Sequence, residues 1–261
     1  MEPYANFELS QNADLEVRYV LASRDVRNVS ATASPILINE AGRQISSGIG
    51  FKLRLGPDEN DTNRFFDNWS FVFDQEFTGL GGDTKLSISR LALAARKNIS
   101  ESGFALRTRF EFGAAVGRSG EKARVSERFT LGGAALRGFE RGTISPRDVC
   151  TGCAAGGGDQ ITELGGNYYA VARTDLLVPI FQNAPDLETF AFFDFGSVWS
   201  TNTTTAPSGV LDDTRRLRSS AGVGLSFATA LGDFEAYLAL TTNAERYDEE
   251  EVFGLLFRAQ F

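Results

Sequence analysis

The stretch FALRTRFEFGAAV, residues 104–116, separates apolar from charged side chains along an extended strand. Its apolar side chains share one parity: Phe104, Leu106, Phe110, Phe112 and Val116. The opposite parity carries three charged side chains: Arg107, Arg109 and Glu111. Successive side chains of a strand point to opposite faces, so this period of two predicts a β-strand. A half-buried strand of a soluble protein seldom carries three charges in a line, whereas the watery lumen of a membrane barrel accepts them.

The same alternation recurs along most of the chain. It is regular in residues 45–55, 69–77, 168–180, 221–227, 234–240 and 253–261. Residues 85–97 alternate less well, because Arg90 and Arg96 share the parity of Leu86 and Ile88, but they are still interpreted as a strand. About eleven segments have the length that a tilted strand needs to cross a bilayer. No segment of useful length has a helical period, so the pattern does not favour βαβ units.

The composition agrees with many short strands and turns. The 261 residues include 22 Phe, 27 Gly and seven Pro, with one Met and no His. No apolar run reaches the roughly 18 residues of a spanning helix. A barrel exposes one face of each strand to lipid and keeps the other wet, which accounts for the mean hydropathy of −0.16. The net charge of −8, without a basic stripe, argues against nucleic acid as a partner.

Loop lengths also favour a barrel. Long connections (28–43, 131–167, 200–218 and 242–251) alternate with short turns (98–103, 181–189 and 230–233), except for the acidic turn near residue 60. Bacterial outer-membrane barrels have long loops outside and short turns inside, whereas the loops of a soluble β-sandwich are of similar length. We therefore predict an all-β chain whose residues 1–261 form one antiparallel transmembrane β-barrel domain. An antiparallel ring needs an even number of strands, and residues 4–9 resemble the tail of a strand, so we expect a partial barrel.

Two cysteines, Cys150 and Cys153, lie within the long central loop. A zinc site would need two further Cys or His ligands, and a thioredoxin-like pair would need a βαβ setting. A disulfide that closes a small loop is preferred, and a pair of free thiols remains the alternative. The sequence predicts no metal site and no cofactor.

Several stretches resemble the BamA superfamily of outer-membrane assembly and secretion barrels. They are LGGAALRGFERGTISPRD (131–148), GGNYYAVARTDLLVP (165–179), FFDFGSVW (192–199) and SSAGVGLSFATALG (219–232), with a last strand ending in Phe261. DQEFTGLGGDTK (74–85) is similar to alphaproteobacterial members. The resemblance implies a barrel of 16 strands preceded by periplasmic POTRA domains. We therefore expect the chain to supply about 11 strands, without the first four or five strands and without POTRA domains.

In that superfamily the sixth extracellular loop folds into the barrel, and its Arg-Gly-Phe tip binds the inner wall. The resemblance implies that Arg137, Gly138 and Phe139 form this tip. It also implies that the acids of the wall are Asp175 and Asp194. The residues themselves agree, because an isolated carboxylate within an apolar strand needs a partner and an arginine fork matches carboxylates.

Glycines flank this tip. Gly132 and Gly133, with Gly138, would let the backbone approach the wall closely. The alternative is that Arg137 is an exposed loop arginine.

The resemblance implies a non-enzymatic insertase that assembles β-barrel proteins into the bacterial outer membrane. A seam beside the last strand would open, and the final strand of an incoming protein would add to the exposed edge. The implied partners are unfolded outer-membrane protein clients, the lipid bilayer and accessory outer-membrane lipoproteins. A two-partner-type secretion pore or a TamA-like translocation or assembly protein is the alternative. Phe253, Phe257 and Phe261 are predicted to form the signal by which the barrel is itself assembled.

Overall fold

The computed structural model describes residues 3–30, 33–57, 65–154, 157–181, 184, 187–201, 210–229 and 232–259. Phe261, predicted as part of the assembly signal, lies outside the described residues. Within the described ranges, no helix is both long enough and apolar enough to cross a membrane.

The described chain is almost entirely β-structure. Its fourteen strands, in chain order, are β1 (Tyr4–Ser10), β2 (Ala13–Val26), β3 (Gly42–Leu55), β4 (Asn68–Gly82), β5 (Leu86–Asn98), β6 (Ala105–Gly117), β7 (Arg147–Cys150), β8 (Gln160–Glu163), β9 (Tyr168–Val178), β10 (Leu187–Trp199), β11 (Val210–Asp212), β12 (Arg218–Thr229), β13 (Gly232–Asn243) and β14 (Phe253–Ala259). A short helix, α1 (Pro35–Asn39), follows β2, and a single 3-10 turn (Val125–Glu127) follows β6. Ser34 caps α1, because its side chain accepts a hydrogen bond from the Ile36 amide.

Eleven of these strands form one antiparallel sheet. Their order is β1-β2-β3-β4-β5-β6-β9-β10-β12-β13-β14, so each strand pairs with its neighbours along the chain once the two loop insertions are passed over. The eleven predicted strand segments are thus confirmed. In the described part of the chain the sheet is open, with β1 at one edge and β14 at the other.

The antiparallel order places the long connections together. Residues 27–41, 118–167, 200–217 and 244–252 link strands on one side of the sheet, which we call the loop side. The opposite side carries the connections at 11–12 and 99–104, and on it β9 and β12 end while β10 and β13 begin. On that side β3 also ends and β4 also begins, and most of the acidic turn predicted near residue 60 lies outside the described residues.

The weak alternation of β5 has a physical cause in the lumen. Leu86 and Ile88 point inward at the loop side of the strand, yet both are almost completely buried. They pack with Ala115 of β6, with Ala123, and against Phe129 of the long loop. The inner wall is therefore apolar at this end of β5, where the loop covers it.

A second, smaller sheet lies within the loops. It has the order β11-β7-β8, and Asp212 of β11 pairs in register with Arg147 of β7. The sequence predicted long connections at 131–167 and 200–218, and it gave no sign of these short strands. Strands of three or four residues contain too few alternations to give a periodic signal.

Candidate functional site

The loop from residue 118 to residue 167 folds inward and packs on the inner wall. Leu131, Leu136, Phe139 and Ile144 of the loop form one buried apolar cluster. The wall contributes Tyr169 and Val171 of β9 and Val198 of β10 to the same cluster. Burial of apolar surface contributes about 25 cal/mol of free energy per Å², so these contacts hold the loop against β9 and β10.

Arg137 occupies the centre of this contact and is 2% exposed. Its guanidinium donates to Asp194 Oδ2 at 2.7 Å through Nε and to Asp194 Oδ1 at 2.7 Å through Nη2. Nη2 also donates to Asp175 Oδ1 at 2.6 Å, and Nη1 donates to Glu235 Oε1 at 3.1 Å. One cation thus joins carboxylates of β9, β10 and β13. The structure brings Arg137 together with both wall acids named from the sequence.

Sequence reasoning missed the third acid, Glu235, and an aromatic platform under the guanidinium. The Arg137 Cζ lies 3.8 Å from the centroid of the Phe192 ring, a cation–π contact. Both missed residues share the inward parity of their strands, Phe192 with Asp194 and Glu235 with Tyr237. That parity was the available signal.

Glycines of β12 make room for this platform. A Cβ atom at Gly222 would lie 2.6 Å from the Phe192 ring, and one at Gly224 would lie 2.4 Å from the Phe190 ring. Real Cβ atoms do not approach so closely, so these two positions require glycine while the rings lie over the strand. The glycine alternation of β12 therefore positions Phe192 beneath the arginine.

The loop backbone also contacts the wall. Ser220 Oγ donates to the Arg137 carbonyl oxygen at 2.5 Å. Gly138 has a φ of +88°, and a Cβ there would lie 2.9 Å from the Ser220 Cβ. Gly133 N donates to the Phe139 carbonyl oxygen at 2.7 Å, which closes the turn that presents the arginine.

The loop tip, residues 137–139, is also bound to the segment that leads into β14. Glu251 N donates to the Gly138 carbonyl oxygen at 3.0 Å, and Glu140 N donates to the Glu249 carbonyl oxygen at 2.8 Å. The side chain of Phe139 is fully buried. The tip therefore ties β9, β10 and β13 to the connection that precedes the last strand.

Arg107 extends the charge network away from the loop. Its Nε donates to Asp175 Oδ2 at 2.9 Å, so Asp175 lies between two guanidinium groups. Its Nη1 donates to Glu188 at 3.3 Å, and Arg96 donates to the other oxygen of Glu188 at 3.0 Å. Ion pairs therefore run continuously from Arg137 to the strand ends opposite the loop side.

The connection between β2 and β3 also contacts the long loop. Ser34, before α1, donates through Oγ to Asp148 Oδ2 at 2.6 Å. Glu40 accepts a hydrogen bond from the Val125 amide at 2.6 Å and forms an ion pair of 3.5 Å with Arg128. These contacts fix the long loop at a second place, far from its tip.

Asp248 anchors the connection between β13 and β14. Its carboxylate accepts from Arg147 Nη2 at 2.8 Å and from Arg218 Nε at 2.8 Å. Burial alone would raise the pKa of this carboxyl. The hydrogen bonds from Arg218 and from the Glu245 backbone N–H outweigh burial and hold the pKa of Asp248 below its ordinary value.

Acidification is therefore expected to loosen this connection. A carboxyl whose pKa is lowered in the folded state stabilises that state above its unfolded pKa, about 3.9, and the contribution is lost as the pH falls through the folded pKa. Cleavage of the folded protein by an acid protease, followed between about pH 5 and pH 2, should accelerate toward the lower pH. Asp248→Asn should be cleaved faster at the higher pH and should show a smaller acceleration. An equal acceleration in the variant would refute the assignment.

The remaining predicted site residues lie apart from the tip. Cys150 and Cys153 form a disulfide at the end of β7. Phe253 and Phe257 point outward from β14, and the Phe257 ring packs on Phe234 of β13 with centroids 4.6 Å apart. Whether Phe253 and Phe257 act as an assembly signal stays a prediction.

Comparison with known proteins adds a family and a fold. The sequence pattern described as the Omp85 superfamily domain matches residues 4–257. No curated protein sequence matches the chain. The crystal structure of BamA from Haemophilus ducreyi lacking POTRA domains 1-3 is similar, with a TM-score of 0.74 at 19% sequence identity. The match covers 96% of this chain and 52% of that one, so the chain spans about half the length of the solved structure.

Proposed function

Because the chain belongs to the Omp85 superfamily and forms the wall of an outer-membrane β-barrel, we propose that it assembles and inserts other β-barrel proteins into that membrane. Residues 1–261 would supply the C-terminal portion of the barrel domain. The further strands and the POTRA domains would come from additional sequence. The proposed partners are unfolded outer-membrane proteins, the bilayer and accessory outer-membrane lipoproteins.

The observation that carries this proposal is the loop tip that is fixed to the wall beside the last strand of the sheet. Arg137 holds β10 and β13, and the Gly138 carbonyl oxygen accepts from Glu251 just before β14. In the described part of the chain, β14 pairs with β13 on one edge and with no strand on the other. An unpaired edge presents a row of N–H and C=O groups that another strand can bind. The loop tip thus braces the wall next to that edge, and the edge is where we propose that a client strand adds.

The proposed mechanism is strand addition. The seam beside β14 opens, and the final strand of an unfolded client pairs with the exposed edge. In the hydrocarbon core no water is present to satisfy backbone groups. Each further hairpin of the client therefore avoids the free-energy cost of unpaired N–H and C=O groups if it pairs before it meets lipid. Backbone pairing and burial of the client's apolar face in lipid drive the process. The proposal therefore requires no catalytic residue.

Depletion of the protein in cells tests this function. An insertase should be needed by many outer-membrane proteins, so their folded forms should decrease together when the protein is depleted. Heat-modifiable migration in gel electrophoresis separates folded from unfolded barrels. The abundance of inner-membrane and periplasmic proteins is the control. Loss of one secreted protein, with the outer-membrane proteins unchanged, would instead support a two-partner-type secretion pore.

A further inference from the structure

A notch opens on the outward face of the sheet at the loop-side end of β4. The pairing of β3 with β4 shifts at this place, because Gly48 lies opposite Thr78 while the preceding residue, Ser47, lies opposite Gly81. Residues 79–80 of β4 are therefore additional and form a β-bulge. Bulges are frequent at the rims of barrels, where they redirect side chains. The notch beside this bulge has a volume of about 450 Å³.

Apolar side chains form the walls of the notch and continue below it. Ile49, Phe77 and Leu80 line the notch, and all three are exposed. The centroid of the Phe51 ring lies 6.5 Å from that of Phe77 and 5.9 Å from that of Phe73. An aromatic surface therefore extends from the notch along the outward face, away from the loop side.

Two cations line the same notch at its upper end. They are Lys85, in the connection before β5, and Arg118, directly after β6. The Arg118 amide donates to the Lys85 carbonyl oxygen at 2.8 Å, and the Arg118 Cζ lies 5.6 Å from the centroid of the Phe77 ring. Both side chains are exposed, and no carboxylate among the described residues forms an ion pair with either. The apolar notch thus carries two neighbouring positive charges without a counter-charge.

The height of the notch indicates which leaflet it meets. Tyr19 lies opposite Ile49 in register, and its hydroxyl lies 2.7 Å from the Ser47 hydroxyl. Tyrosine is enriched at the level of the lipid headgroups. The long loops of bacterial outer-membrane barrels are extracellular, so the notch lies in the outer leaflet. That leaflet consists of lipopolysaccharide, whose lipid A carries phosphates on its sugars and several acyl chains.

We propose that this notch binds the lipid A part of lipopolysaccharide. One phosphate accepts hydrogen bonds from the Lys85 ammonium and the Arg118 guanidinium and supplies the counter-charge that the chain lacks there. The acyl chains lie over the aromatic surface that begins at Phe77. Charge complementarity at the upper end and apolar contact below it thus act on the two ends of one lipid. This binding goes beyond the proposed insertion of client proteins and does not depend on it.

Native mass spectrometry of the full protein in detergent tests the proposal. The probes are lipid A with two phosphates and lipid A from which both phosphates have been removed. Each basic side chain near the membrane surface contributes about five-fold to the affinity for an anionic lipid, so two should contribute about 25-fold. The first lipid A should therefore bind about 25-fold more tightly than its dephosphorylated form. Lys85→Gln combined with Arg118→Gln should abolish this preference, whereas Leu80→Ala should weaken binding of both probes alike.

A matched cation at the other end of β5 provides the control. Lys97 pairs with Leu106 on the outward face, and its Nζ lies 5.3 Å from the centroid of the Phe65 ring. Lys97→Gln should leave the preference unchanged, and heat-modifiable migration shows whether each variant is folded. A preference that survives the double substitution, or an equal loss in Lys97→Gln, would overturn the proposal. Displacement of lipid A by an equal concentration of phosphatidylglycerol would also overturn it, since any anionic lipid would then suffice.

Discussion

Replacing Arg137 by alanine is expected to lower the free energy of unfolding by about 3–5 kcal/mol, the range for breaking a buried ion pair by removing one partner. The guanidinium is buried, and its loss leaves the carboxylates of Asp194, Glu235 and Asp175 facing one another without a cation. Asp175 keeps its contact with Arg107, so the greatest penalty falls on Asp194 and Glu235. The midpoint of heat-modifiable migration, measured on the protein in vesicles, reports the loss of stability.

Two companion variants separate the charge from the geometry. Arg141→Ala removes an exposed arginine four positions along the same loop and should change the midpoint little. Arg137→Lys keeps the charge but not the planar fork, so it cannot reproduce donation to three carboxylates at once and should restore little stability. If Arg137→Ala and Arg141→Ala behaved alike, the buried ion cluster would not hold the loop.

Under the proposed function, Arg137→Ala is also expected to impair the insertion of client proteins. The tip connects three wall strands to the segment before β14, so its release removes the brace beside the proposed seam. A urea-denatured eight-stranded barrel should fold more slowly into vesicles that contain Arg137→Ala than into vesicles that contain the unsubstituted protein. Its rate should equal the rate measured with Arg137→Lys. Unchanged folding with a lowered stability midpoint would separate the structural role of the tip from the proposed function.

Parity along the strands predicted most of the wall and part of the site. The period of two located the eleven strands and placed Asp175 on the lumen side, because a strand has two faces. The same period places Phe192 and Glu235 on the lumen side. An inward residue has many possible partners until the path of the loop is known, so their contacts with Arg137 were not predicted. Ser220 and Glu251 could not be found from the sequence. The Ser220 hydroxyl binds the Arg137 carbonyl oxygen, and the Glu251 amide binds the Gly138 carbonyl oxygen, so both contacts depend on the backbone of the tip. Such contacts leave no pattern of residue types.

Gly132→Ala is expected to displace the loop from the lumen and to lower the free energy of unfolding by about 2–5 kcal/mol. Gly132 has a φ of +114°, and a Cβ there would lie 2.0 Å from the Glu140 carbonyl oxygen. The backbone strain contributes about 1–2 kcal/mol, and forcing an atom into a packed site contributes about 1–3 kcal/mol. Because the clash is with backbone, a side-chain rotation cannot relieve it, and the turn that presents Arg137 must move.

Gly120→Ala separates these two contributions. Gly120 lies in the same loop with a φ of +86°, but a Cβ there would meet no heavy atom within 4 Å. It should therefore show the strain alone, about 1–2 kcal/mol. Protease cleavage within the loop reports its release from the lumen, and heat-modifiable migration reports the stability. We expect rapid cleavage in Gly132→Ala and nearly normal resistance in Gly120→Ala. Equal resistance in both would mean that the close approach of Gly132 to Glu140 does not determine the path of the loop.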